Sequence, residues 1–183
     1  MLLAYRAFSR EGGQARIVRM KRKDDEIVAS KLKPDPLQEA EKTYGAIGRF
    51  MFEFSQTEYT IRHAVGREVL KDCDKCMFVV EALDVTALCN VAKKVFKGTR
   101  PPSIAAEIDA EIKRFLAINQ ERVQVAHGVW IPYFDGGMVR HVSRTSFNPT
   151  ISKGRTEALD KLSAELGEIR TRFHTAVLAL PEV

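Results

Sequence analysis

Leu37, Ala40, Tyr44, Ile47, Met51, Phe54, Ile61 and Val65 succeed one another mostly at the spacing of helix turns, which puts them along one side of a long amphipathic helix. Glu58 occupies the one slot where the series skips a member. A helix with so long an apolar side must bury it against other elements, so this pattern alone restricts the fold to packed helices. Two further stripes match it: Ile104, Ile108, Ile112 and Phe115, and then Leu159, Leu162, Leu166, Ile169, Phe173, Ala176 and Leu180. The apolar segment from Met77 to Phe96 predicts another helix. "KGTRPPS" at 97–103 separates it from the next, with Gly98 placed to end one helix and the prolines to open the other.

After Gly128 the periodicity changes. "VWIPYF" and "MVRHVSRTSF" flank "DGG" at 135–137, a hairpin signal in which Pro132 confines the first arm to an edge or a bulge. "NPTISKGR" reads as a loop. The expected fold is therefore mainly all-α: a four-helix bundle with a small β-hairpin before the last helix. A chain of 183 residues suits one domain.

Residues 1–33 carry nine Lys/Arg against four Asp/Glu, whereas residues 34–183 carry twenty of each. The basic excess thus lies in an N-terminal arm, either solvated or in contact with nucleic acid, and residues 34–183 form the helical domain. Met20 is an alternative start to Met1. No stretch approaches the roughly 18 apolar residues of a membrane span, and the opening residues lack the apolar run of a signal peptide. A cytoplasmic protein with no membrane partner is expected. Cys73, Cys76 and Cys89 suit a reducing compartment. "CDKC" at 73–76 has the spacing of half a zinc site without a second half, so no metal and no other cofactor is expected. His63, His141 and His174 have no ligand-like spacing to it, and His174 lies off the apolar stripe of its helix.

The candidate chemistry lies in "NQERVQVAHGVW" at 119–130. Arg122 can clamp a phosphate with its fork of donors, and His127 can carry a proton in metal-free cleavage of a phosphodiester. Residues five apart on a helix stand roughly 140° apart. The two converge only if the helix ends or bends before His127, or if two subunits share a cleft. Structural readings use the same letters. Asn119 and Arg122 continue the apolar face of their helix, an ion pair between Glu58 and Arg122 would satisfy both stripes, Gly128 can end the helix in the left-handed conformation, and Trp130 can pack the hairpin on the bundle. Arg140 and Arg144, on one strand face, either extend a phosphate-contacting surface or keep an edge strand soluble.

"IGRFMFEFSQTEYTIRHAV" at 47–65 resembles the first core helix of small bacterial HEPN-like proteins, with its "F-x-x-x-E-x-x-x-R" pattern. "ERVQVAHGVW" resembles the signature of the same superfamily, an Arg followed four to six positions later by His. The resemblance spans about residues 36–178. It implies an antiparallel HEPN-like bundle and a metal-independent endoribonuclease of toxin or defence type, with Arg122 and His127 catalytic where two subunits of a homodimer meet. RNA and an antitoxin or regulatory protein are the partners it implies. A non-catalytic relative that binds RNA, a nucleotide or a protein is the alternative. The position after the Arg, polar in active ribonucleases, is Val123 here, which removes an orienting hydrogen-bond partner.

Overall fold

The first stripe forms one helix, α1 (Pro36–Leu70), in a computed structural model that describes residues 35–70, 80–134, 136–142 and 149–179. Its buried side differs from the apolar series at the N-terminal end. Leu37 and Tyr44 are exposed, while Thr43, Ala46, Phe50, Phe54, Thr57, Ile61, Ala64 and Val65 face inward. The threonines make this possible by donating back along the helix, Thr43 Oγ1 to the Glu39 carbonyl at 3.0 Å and Thr57 Oγ1 to that of Glu53 at 2.9 Å. A hydroxyl satisfied within its own helix can be buried cheaply, and a count of apolar letters misses it.

Helix α2 (Val85–Thr99) is shorter than the segment from Met77 suggests, because Asp84 caps it by accepting from the Ala87 amide at 2.8 Å. Cys73, Cys76 and Met77 lie outside the described residues. Helix α3 (Pro102–His127) begins at the two prolines, and Gly98 lies inside α2 rather than after it. Helix α4 (Arg155–Leu178) carries the last stripe, with Leu159, Leu166, Ile169, Phe173 and Ala176 buried and Leu162 half-buried. Phenylalanines 50, 54, 96, 115 and 173 fill the shared core together with isoleucines and leucines from all four helices.

The helix directions depart from a fully antiparallel bundle. Thr43 meets Thr156, Arg49 meets Asp160, and Thr57 meets the Leu166 carbonyl, so α1 and α4 lie side by side and run the same way. Helix α3 runs against α4, as Glu121–Arg155 and Glu111–Arg172 indicate, and against α2 through Lys93–Asp109. A sheet connects α3 to α4 at the bundle end where α1 starts.

That sheet has three antiparallel strands in the order β1 (Val129–Ile131), β2 (Met138–Val142) and β3 (Pro149–Ser152). The segment that reads as a loop thus supplies a strand. β-branched Thr150 and Ile151 pair with His141 and Arg140 and cover the free edge of β2, and Pro149 stands at the strand's first position, where no ladder donor is needed. The turn between β1 and β2 is fastened to the bundle. Gly137 has φ 81°, and a Cβ there would come within 2.8–3.0 Å of Thr156 and Thr43 side chains. The carbonyls of Gly137 and Gly136 accept from the first amides of α4, Arg155 and Thr156, and the Gly136 amide donates to Glu39 of α1 at 2.8 Å. Glycine is required there by both the backbone angle and the close approach.

Candidate functional site at the end of α3

Helix α3 continues unbroken through His127, which closes the route by which a bend could bring its imidazole to Arg122. His127 is exposed in the last turn and Arg122 is half-buried, one and a half turns earlier on another side. Gly128 ends the helix differently from the sequence expectation. Its φ of −79° and ψ of 152° are extended, and its amide donates to the Gln124 carbonyl at 2.8 Å. Its need for glycine is steric, since an added Cβ would lie 2.3 Å from Val139 Cγ2 and 2.5 Å from the Gln124 carbonyl oxygen. β2 therefore crosses directly against the end of α3. Trp130, half-buried against the core, donates from Nε1 to the Val125 carbonyl at 3.1 Å and satisfies one of the carbonyls that a helix end leaves unpaired.

Glu58 and Arg122 do not pair. The Glu58 carboxylate is held by Arg62, one turn along α1, whose guanidinium also donates to the carbonyls of Val80 and Leu83. The glutamate-to-arginine spacing of four is itself a helix-stabilising pattern, and it is the sequence signal that points to this pair. Arg122 instead lies over the ring of Phe54, its Cζ 5.9 Å from the centroid, and Phe54 in turn packs on Phe115 with centroids 4.7 Å apart. A cation over a ring within about 6 Å gains on the order of 1 kcal/mol. No sequence pattern marks Phe54 as this platform, because it reads as an ordinary core position.

The other half-buried arginines among the described residues each reach a carboxylate: Arg62 to Glu58, Arg100 to Glu68, Arg114 to Glu111, Arg155 to Glu121 and Arg170 to Glu53. Arg122 has no such partner there, and its Nε is buried without a hydrogen-bond acceptor. Asn119 and Val123 beside it are half-buried. Arg140 is exposed on the outward face of β2, between Val129 and Ile151 in register, with both apolar neighbours also exposed. Arg144 lies outside the described residues. The structure thus sets Arg122, His127 and Trp130 around the end of α3 and Arg140 on the adjoining sheet, and leaves Glu58 engaged elsewhere.

His174 is exposed on α4. Among the described residues no cluster of three or more His, Cys, Asp or Glu side chains could hold a metal ion, and no helix is long and apolar enough to cross a membrane. No family model, curated protein or solved structure matches the chain.

Proposed function

We propose that this chain is a HEPN-like protein that engages RNA through the C-terminal end of α3. One observation carries the reading: Arg122 is a half-buried cation with no carboxylate among the described residues, in a domain where each comparable arginine has one. A guanidinium with unspent donors, on the helix whose last turn carries exposed His127, suits an anion supplied from outside, and the phosphate of RNA matches its planar fork. The likeness of "ERVQVAHGVW" to the HEPN signature supports RNA over other anions. In the simplest form the site binds without cutting, because the two signature side chains leave an unbroken helix on different sides and Val123 offers no orienting hydrogen bond.

Metal-independent endoribonuclease activity of toxin or defence type is the second reading, favoured by the freedom of Arg122 from Glu58 and by the exposure of His127. It requires Arg122 of one copy and the imidazole of another to meet at one phosphate, with the imidazole moving the 2′-hydroxyl proton and the guanidinium countering phosphoryl charge. Labelled single-stranded RNA incubated in EDTA with the native chain and with Arg122→Ala/His127→Ala tests both. Retention on the native chain alone, with RNA intact, is the result expected. Cyclic phosphate ends made by the native chain alone would establish cleavage, and equal failure of both proteins to retain or cut RNA would end the RNA reading.

A further inference from the structure

At the end of α1 far from the sheet, its last turns and the end of α4 border a cleft of about 420 Å³, which Arg100 also reaches from the end of α2. A space of that size suits a small molecule. Two rows of α1 side chains at the spacing of helix turns line one wall: Tyr59, His63 and Arg67, and beside them Thr60, Ala64 and Glu68. His174, Val177 and Leu178 of α4 line the other.

Both rows of α1 change character along the helix in the same sense. Tyr59 and His63 stack with ring centroids 6.0 Å apart and 28° between planes, while Thr60 commits its hydroxyl to the Gln56 carbonyl at 2.8 Å. With Ala64 alongside and Val177 and Leu178 opposite, this stretch is a flat, largely apolar slot. The next turn is charged. Arg67 has no hydrogen-bond or ion-pair partner among the described residues. Glu68 gives Oε2 to Arg100 at 2.7 Å, and its Oε1 has no partner among those residues. An open guanidinium and an open carboxylate oxygen on successive residues match a ligand that carries both charges close together. The helix ends narrow the choice further. Helices α1, α2 and α4 all end beside the cleft, and the partial negative charge of helix C-termini favours an ammonium and penalises a doubly charged phosphate ester.

We propose that this cleft binds a free aromatic α-amino acid, with its carboxylate on Arg67, its ammonium on Glu68 and its ring in the slot between the Tyr59–His63 pair and α4. At 1.5 Å of rise per residue, His63 stands about 7 Å along the helix from the Arg67–Glu68 pair. Side chains of a helix lean back toward its N-terminus, which shortens that gap to the span between the head group and the ring of such a molecule. An aliphatic amino acid leaves the aromatic wall uncovered, and an acid or an amine alone leaves one charge unmet. The site goes beyond the RNA reading, shares no residue with it and does not depend on it.

Titration of the full chain with L-phenylalanine, followed by the amide resonances in nuclear magnetic resonance spectra, tests the assignment. Saturable shifts centred on residues 59–68 and 174–178 are expected, with a Kd of about 0.1–1 mM for so small a ligand. Phenylpropionate lacks the ammonium, phenethylamine the carboxylate and L-alanine the ring, and each is expected to bind at least about tenfold more weakly. Arg67→Gln and Tyr59→Ala alter exposed side chains, so both variants are expected to keep the native spectrum while weakening L-phenylalanine by about tenfold or more. Absence of saturable shifts with L-phenylalanine and L-tryptophan up to about 10 mM overturns the proposal, as do shifts centred elsewhere in the chain. Tighter binding of phenylpropionate or phenyl phosphate than of L-phenylalanine overturns it too, and so does undiminished binding by Arg67→Gln.

Discussion

Arg62 and Arg122 are both half-buried arginines, and what their removal does separates structure from function. Arg62 neutralises Glu58 and serves two backbone carbonyls, so Arg62→Ala leaves a carboxylate and two acceptors unserved in a largely enclosed place. That change is expected to destabilise the fold by about 2–4 kcal/mol in urea denaturation. Arg122→Ala strands no carboxylate and removes only the contact with Phe54, so it is expected to cost about 1 kcal/mol while abolishing RNA retention. Equal losses of stability from the two would contradict this division of roles between a structural and a ligand-binding arginine. Cys89 titrates in its own way. Burial against α2's neighbours pushes its thiol from 9.0 up to about 12, so the folded chain holds the proton more tightly than the unfolded one. The stability this contributes is complete below pH 9 and is lost as pH rises from about 9 toward about 12. At its upper limit it is on the order of 4 kcal/mol, from about 1.4 kcal/mol per pH unit. Cys89→Ala is expected to lose less stability than the native chain between pH 8 and pH 11, and parallel losses would show that the thiol is not responsible.

Among the elements, the junction of α3 with β2 is where small changes matter most. Gly128→Ala forces a methyl group onto Val139 and the Gln124 carbonyl, and is expected to cost about 1–3 kcal/mol by overpacking. Because β1 hangs on that junction, near-ultraviolet dichroism from Trp130 should weaken before helix content falls. An unaltered urea midpoint for Gly128→Ala would mean that β2 does not press on the helix end. The helices themselves are legible in the sequence because each carries an apolar stripe and a breaker, such as the Pro101 and Pro102 pair that opens α3. The third strand is not, because Pro149 and Asn148 resemble loop residues and only the unpaired edge of β2 gives the strand a partner. The candidate site is legible only in part. Arg122 and His127 stand out as residue types and the spacing of four marks the Glu58–Arg62 pair, but the place of Phe54 under Arg122 is decided by which helix faces meet, and spacing along one helix does not contain that.

At the scale of the whole molecule, the direction of the helices is the property least visible in a one-dimensional pattern. Three amphipathic stripes with short connections suggest successive antiparallel neighbours, and α3 and α4 keep that rule, with the sheet joining ends that lie side by side, yet α1 runs the same way as α4. The turn between β1 and β2 is then tied to the starts of both helices through Glu39, Thr43 and Thr156. Synthesis gives that arrangement a further meaning. The longest helix leaves the ribosome first, and the helix that shields most of its core side is made last, after the sheet. Until α4 emerges, Phe50, Phe54 and Ile61 have only part of their final surroundings. A chain built this way cannot complete its core piece by piece from the N-terminus; it has to hold a sticky 35-residue segment in waiting and close around it in one late, cooperative step.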